Sequence, residues 1–360
     1  MVKTIAALVV LYCLVLASPA CALVYSLTNL GTLTGFTKSS EALAINDSGT
    51  VVGYSQDNSN NVLAFSYSGG VMTALTVISG GSETTARGIN SSGTIVGSYE
   101  DSGLHVLGFS YSGGVMTGLG TLPGGTASSM RGVNSLGTIV GDSDGTALPL
   151  VPASYSGGVM TNLGSLGGTS GIAYAINDVG TIVGKSNTGT QNDAFSYSGG
   201  TMTDLGTLGG SSSTAFAINA SGIIVGQAAT AAQQHAFSYT LAGGMVDLGT
   251  LGGTTSSAFG VNASGVIVGD FTNGAQTRAF VDIGGVMTDL NTLLDSSGAG
   301  WTLVDATAIN SSGQIVGFGT NSGGQTLGFL LTPTPEPSAC ALLVGSGLAL
   351  LGAVVRRRRF

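Results

Sequence analysis

Apolar residues between the two ends of this chain fall in short runs of strand length, punctuated by tight-turn residues. Ile223-Ile224-Val225 is one such run, preceded by Asn219-Ala220-Ser221-Gly222. Asparagine followed three residues later by glycine suits the first and last positions of a type I turn, so this segment reads as a turn opening into a strand. A second strand pair flanks Ser198-Gly199-Gly200, with Phe195-Ser196-Tyr197 before it and Met202-Thr203-Asp204-Leu205 after it. Glycine supplies the positive φ that such a hairpin turn requires. The pattern makes four strands, and adjacent apolar pairs such as Ile182-Val183 suit sheets covered on both faces.

This four-strand pattern repeats. Ala44-Ile45-Asn46-Asp47-Ser48-Gly49-Thr50-Val51-Val52-Gly53 is its first signature. The asparagine returns at Asn90, Asn134, Asn177, Asn219, Asn262 and Asn310, at spacings of 44, 44, 43, 42, 43 and 48 residues. That period belongs to propeller blades and not to leucine-rich or helical-hairpin repeats. The two ends of the array are out of phase. Leu27-Thr28-Asn29-Leu30-Gly31-Thr32-Leu33 matches the strand that starts at Met202 but precedes the first full unit, whereas the last unit stops at Gly328-Phe329-Leu330-Leu331, after its third strand. A closed ring needs this arrangement, with the spare strand completing the last unit; an open solenoid would need caps instead. The expected fold is therefore all-β, a seven-bladed β-propeller over residues 23–332 closed by its N-terminal strand, with an open or two-part β array as the alternative.

The two ends carry different signals. Residues 1–22 hold Lys3, an apolar run from Ile5 to Ala17 and small residues at Ala20 and Ala22, the pattern of a signal peptide cleaved before Leu23. Lipidation at Cys21 is disfavoured by Ser18 and Pro19 before it. The C-terminus has a Pro-rich segment at 333–338, an uncharged, mostly apolar segment at 339–355 and a basic tail at 356–360. Seventeen helical residues rise roughly 25 Å, a marginal transmembrane segment against a hydrocarbon core of ~30 Å. Arg356, Arg357, Arg358 and Arg359 favour the cytoplasmic side, which leaves the body outside, in agreement with the N-terminal signal.

Glycine is 61 of 360 residues and charged residues only 8%, a composition that would suggest low complexity without the period. Between the ends, Lys38, Arg87, Arg131, Lys185 and Arg278 face seventeen of the eighteen carboxylates, a net charge of −12. That sign repels phosphate backbones and argues against nucleic acid as a partner. Cys13 and Cys21 fall in the signal segment and Cys340 in the apolar tail, so the body has no disulfide, thiol nucleophile or cysteine metal ligand to use.

Pro335-Glu336-Pro337, the apolar span and the four arginines occur in that order, and the tail closely resembles the PEP-CTERM sorting signals of biofilm-forming Gram-negative bacteria. The resemblance implies processing by an exosortase-type membrane protease, after signal peptidase has acted at the other end. It also implies transient anchoring in the inner membrane and a final place at the cell surface or outside the cell. From about Leu27 to Leu331 the repeats resemble the HAF family of extracellular repeats. The motif is literal at His235-Ala236-Phe237 and degenerate at Ala64-Phe65, Gly108-Phe109, Ala194-Phe195, Ala279-Phe280 and Gly328-Phe329, with Ala153 replacing the phenylalanine in the third unit. This resemblance implies an extracellular repeat protein without assigned catalytic residues.

Candidate chemistry is sparse. His105 and His235, the only histidines, stand in different repeats, so no catalytic site, metal or cofactor is expected. Asp47 and Asp178 read as turn residues, because the same position elsewhere is Ser91, Ser135, Ala220, Ala263 or Ser311 and no calcium-loop spacing surrounds them. Asp204, Asp247 and Asp289 share one position in three successive units and make a candidate ligand patch for a cation or sugar hydroxyls. The link from Asn291 to Asp305, which carries Trp301, is the one insertion that could build a site. The expected function is a non-enzymatic binding or structural protein associated with exopolysaccharide or biofilm matrix, with polysaccharide or other surface proteins as partners. The alternative is a polysaccharide-active enzyme working through carboxylates on a propeller.

Overall fold

The computed structural model describes residues 23–334. The signal segment with Ala20 and Ala22, Pro335-Glu336-Pro337, the apolar segment and the four terminal arginines lie outside the described residues. Among those described, no helix is long and apolar enough to cross a membrane.

Seven four-stranded antiparallel sheets follow one another along the chain, as the repeat period predicts. Blade one consists of Ser39–Ile45, Val51–Gln56, Val62–Ser68 and Val71–Ala74, in that spatial order. Blades two to six repeat the plan. Blade seven has three strands from its own unit, Thr302–Ile309, Ile315–Thr320 and Thr326–Thr334, and takes its outermost strand, Val24–Gly31, from the N-terminus. Leu27 pairs with Leu331 and Thr28 with Leu330, and Leu27, Leu30 and Leu33 are buried. The chain thus closes through the strand that the phase of the repeats leaves spare.

The long link in the last unit serves that closure. Two short 3-10 turns, Leu290–Leu293 and Ser296–Gly298, lay it against the N-terminal strand. Asp295 N donates to Tyr25 O at 3.0 Å, and Leu27 N donates to Ser297 Oγ at 2.7 Å. Trp301 is half-buried against the cluster that contains Tyr25, Leu290 and Leu303. The insertion therefore buttresses the seam of the ring.

The repeated asparagines close the ring from inside. Each is buried in the turn between the first two strands of its blade, and its Oδ1 accepts the backbone N–H four residues on, as Asn219 does from Ile223 at 2.9 Å. Its Nδ2 crosses to the next blade and donates to the carbonyl of that blade's asparagine. Asn46 bonds to Asn90 O (3.1 Å), Asn90 to Asn134 O (2.9 Å), Asn134 to Asn177 O (3.3 Å) and Asn177 to Asn219 O (3.2 Å). Asn219 then bonds to Asn262 O (2.9 Å), Asn262 to Asn310 O (3.3 Å), and Asn310 returns to Asn46 O (3.2 Å). Aspartate could supply the turn acceptor but not the crossing donor. Asp47 and Asp178, besides sitting in these turns, tie blades as well: they accept from Ser311 N at 2.9 Å and Ser135 N at 2.8 Å of the neighbouring blade.

The HAF-like positions form the other layer of contact. Phe65, Phe109, Phe195, Phe237, Phe280 and Phe329 are fully buried between blades, each worth on the order of 1.5–3 kcal/mol in apolar burial. In blades one, two, four, five and seven the residue before the phenylalanine donates its N–H to a hydroxyl on the next blade's first strand, as Ala236 does to Ser256 at 2.8 Å and Gly328 to Ser40 at 2.9 Å. In blade three, where Ala153 replaces the phenylalanine, Met130 at the far end of the same rung is fully buried in place of the alanine found in the other six blades. The volume is moved across the rung and not lost.

The asparagine ring yields a paired prediction. Asn219→Asp removes a buried donor and sets a carboxylate against the Asn262 carbonyl, which should cost ~1–3 kcal/mol in thermal or denaturant unfolding. Asn162, exposed and only accepting from Gly164 N at 2.8 Å, is the control. Asn162→Asp should stay within ~0.5 kcal/mol. Equal effects at the two positions would show that the crossing bond contributes nothing.

Candidate functional site in the central channel

The first strands of the seven blades face a common cavity of about 610 Å³ along the axis of the ring. Every first strand carries a register shift at the equivalent place, bracketed by Ala42/Ala44, Ala86/Gly88, Met130/Gly132, Ala173/Ala175, Ala215/Ala217, Ala258/Gly260 and Ala306/Ala308, and those of blades two and seven carry a second, earlier one. A bulge leaves one residue outside the ladder and re-aims its side chain. The bulged residues are Leu43, Arg87, Arg131, Tyr174, Phe216, Phe259 and Thr307, and all seven line the channel. The glycine that follows the apolar pair of each second strand permits this. At Gly226 an added Cβ would fall 1.9 Å from the carbonyl oxygen of Thr214, so no larger residue fits beside the bulge.

The channel wall falls into three sectors. Blades four, five and six present an aromatic arc. Tyr174 and Phe216 meet edge-on with ring centroids 5.2 Å apart, and Phe216 and Phe259 lie tilted at the same separation. Blades two and three present Arg87 and Arg131. The Arg131 guanidinium stands 5.2 Å from the Tyr174 centroid, and its Nε donates to Asp142 Oδ1 at 3.2 Å. Blades seven and one present Asp305 and Glu41.

Burial shapes the charge of these groups. Asp270, paired across its rung with Ser257 in blade six, is pushed up to about 6, chiefly by burial, and its Oδ1 has no hydrogen-bond partner among the described residues. Asp305 is raised well above the usual carboxylate range by burial and then by the charges of Asp270 and Glu41. Tyr54 is raised by burial and by its hydrogen bond with Glu41. Burial lifts Asp142 as well, although Arg131 beside it pulls the other way. Arg87 is lowered by burial and by the charge of Arg131. Asp270 and Asp305 therefore hold their protons toward neutral pH, and the basic sector is crowded with positive charge.

The residues singled out from the sequence lie elsewhere. Asp204, Asp247 and Asp289 lie on the outermost strands of three different blades, Asp204 and Asp289 at the last position and Asp247 two residues before it. Each is engaged within its own blade: Asp204 accepts from Gly206 N at 2.7 Å, Asp247 from Gly249 N at 2.7 Å, and Asp289 from Asn291 N at 2.9 Å. Asn29 and Asn162 make the same turn in blades seven and three, so the position serves local backbone geometry. Asp247 also meets His235 at 2.9 Å, and Asp289 pairs with Arg278 at 2.8 Å. His105 pairs with Asp101 in another blade, at 3.2 Å. Among the described residues no cluster of three histidine, cysteine or acidic side chains is arranged to hold a metal ion. The channel residues escaped the sequence reading, yet they carry a signal: within Ala-x-Ala/Gly-Ile/Val-Asn, x is the position whose chemistry changes most freely from repeat to repeat.

Asp270 supplies a test of the effect of burial on these carboxyls. A carboxyl raised from its ordinary value near 4 to about 6 binds more protons folded than unfolded in that window, so its destabilising effect grows as pH rises through it. Asp270→Asn should raise the melting temperature at pH 7.5, by the equivalent of up to about 3 kcal/mol, and do almost nothing at pH 4. A gain that does not change with pH would contradict this assignment.

No family profile matches the chain, and no curated protein matches it. Among solved structures it is similar to TolB from Acinetobacter baumannii, with 11% identity, a TM-score of 0.45 and 81% of this chain covered. The match spans 65% of that protein, just under two thirds of its length. It is also similar to the Aleuria aurantia lectin in complex with Fucalpha1-6GlcNAc, at 14% identity and a TM-score of 0.39 over 83% of this chain and 97% of that one. AofleA from Arthrobotrys oligospora gives 11% identity and a TM-score of 0.41 over 75% and 86% of the two chains. At these values the likenesses carry no argument about function, and the fold rests on its own sheet topology.

Proposed function

We propose that the chain is a non-enzymatic, exported binding protein of the cell surface or matrix, and that it takes a saccharide segment of exopolysaccharide in its central channel. The observation that carries this reading is the composition of the bulge ring. A pyranose has an apolar face of C–H groups and a rim of hydroxyls. Tyr174, Phe216 and Phe259 offer the matching apolar surface, and Glu41, Asp305 and Thr307 offer hydrogen-bonding groups at its edge. Export and sorting are supported by the signal-like N-terminus and the PEP-CTERM-like tail, and the extracellular setting by the HAF-like repeats.

A carboxylate enzyme is the second reading. Asp305, raised toward the protonated form beside Glu41 on one wall, has the environment of a general acid. Screening the purified protein on a glycan array, with and without Ca²⁺, and assaying hits for new reducing ends separates the two readings. Binding without turnover, weakened ~10-fold or more by Phe216→Ala, is expected, because stacking on an aromatic and burial of its face contribute on the order of 1.5–3 kcal/mol. Reducing-end release abolished by Asp305→Asn would favour the enzyme. Binding unaffected by Phe216→Ala and Phe259→Ala would move the site out of the channel.

A further inference from the structure

The two guanidinium groups of the channel are not equivalent. Arg131 is matched by Asp142 at 3.2 Å and by the face of Tyr174. Lys38 bonds to Asn60, and Arg278 pairs with Asp289 at 2.8 Å. Arg87, on the first strand of blade two, Ser82–Ile89, has neither a salt bridge nor a side-chain hydrogen bond among the described residues, and its Nε is buried without a partner. Leaving a buried cation unpaired is costly, and in a body of net charge −12 it is not forced by any shortage of carboxylates.

Its position adds a second observation. Arg87, like Arg131, lines the axial channel and also a cleft of about 400 Å³ between blades two and three, where Ser98 and Ser129 offer hydroxyl groups, Leu150 an apolar wall, and the one carboxylate, Asp142, is taken by Arg131. The guanidinium thus stands where the two cavities meet. A planar fork of donors with no protein acceptor fits a planar monoanion two bonds at a time.

We infer that Arg87 is the anchor for a carboxylate carried on a sugar ring, so that the ligand is an acidic, uronate-bearing oligosaccharide whose neighbouring ring packs on the aromatic arc. This rests on the saccharide reading of the channel and narrows it to carboxylated sugars. The acidic surroundings sharpen the choice. Glu41 disfavours any anion that is not held directly on the guanidinium, which excludes polyanions of closely spaced double charge and admits a single carboxylate per binding register.

The experiment is isothermal titration of the purified full-length chain with tetragalacturonate and with its fully methyl-esterified counterpart, which has the same ring shape and no charge. The acid should bind at least ~10-fold tighter, the usual scale of a charge-assisted hydrogen bond, and the preference should shrink as NaCl is added. Arg87→Gln should reduce the preference to within about twofold, Arg87→Lys should retain part of it, and Phe216→Ala should weaken both sugars alike. Equal binding of acid and ester by the unaltered protein, or an undiminished preference in Arg87→Gln, would overturn the inference. Equal binding with loss in Phe216→Ala would leave the saccharide reading standing. Binding of neither sugar, with the array also blank, would remove both. The salt dependence is read on the unaltered chain, so the test does not depend on the variant folding.

Discussion

Each blade passes one hydrogen bond to the next through the side-chain amide of an asparagine, and the seventh passes it back to the first, so that the inner turns of the ring are held in a closed circuit of bonds 2.9–3.3 Å long. The same residue caps its own turn through Oδ1 and accepts a turn N–H on its carbonyl, as in Gly222 N to Asn219 O at 3.1 Å. Every polar group of the asparagine is therefore used, which is what a buried amide needs. A circuit of this kind exists only when the number of blades and their tilt are right. It makes each blade's position depend on its two neighbours.

The fixed frame leaves freedom in one place. With alanine before the bulge (Met130 in blade three), a small residue after it and the asparagine two places further on, the bulged side chain is held at a set height on the channel wall whatever its chemistry. Seven such positions carry a leucine, two arginines, three aromatics and a threonine. Nothing in the packing of the blades asks for that variety, since the interblade contacts are made by the buried phenylalanines and the alanines of the alternate register. Rigid walls also explain why Arg87 and Asp305 remain in the channel with polar atoms unpartnered: the asparagine circuit and the phenylalanine layer hold the strands in place against their desolvation.

The repeat period, four strands per unit and closure by Leu27–Leu33 were legible in the sequence because each rests on counting, and a ring constrains counts. The channel was not. Period-two alternation assigns faces only while the ladder is regular, and a bulge at Phe216 or Arg87 turns the residue to a face that alternation does not give. Asn219 read as a turn former, which it is; its donation to Asn262 spans 43 residues and has no local signal. Asp204, Asp247 and Asp289 shared a repeat position, but the same position is Asn29 and Asn162 in other blades, where an acceptor is all that the turn requires. Trp301 stood out as the single tryptophan in an insertion, and its place is against the seam at Tyr25.

Closure through the N-terminal strand is the claim on which the circuit, the channel and the site all depend. Hydrogen exchange read by mass spectrometry, on the full chain and on one lacking residues 23–34, tests it most directly. Removing that strand exposes an edge of blade seven and takes away three buried leucines. In a closed ring the loss should spread, so that amides of blade four, such as those of Ile182–Asn187, lose protection along with blade seven. Protection lost in blade seven alone, with blade four unchanged, would mean that the blades stack as an open array and that the ring does not close as a unit.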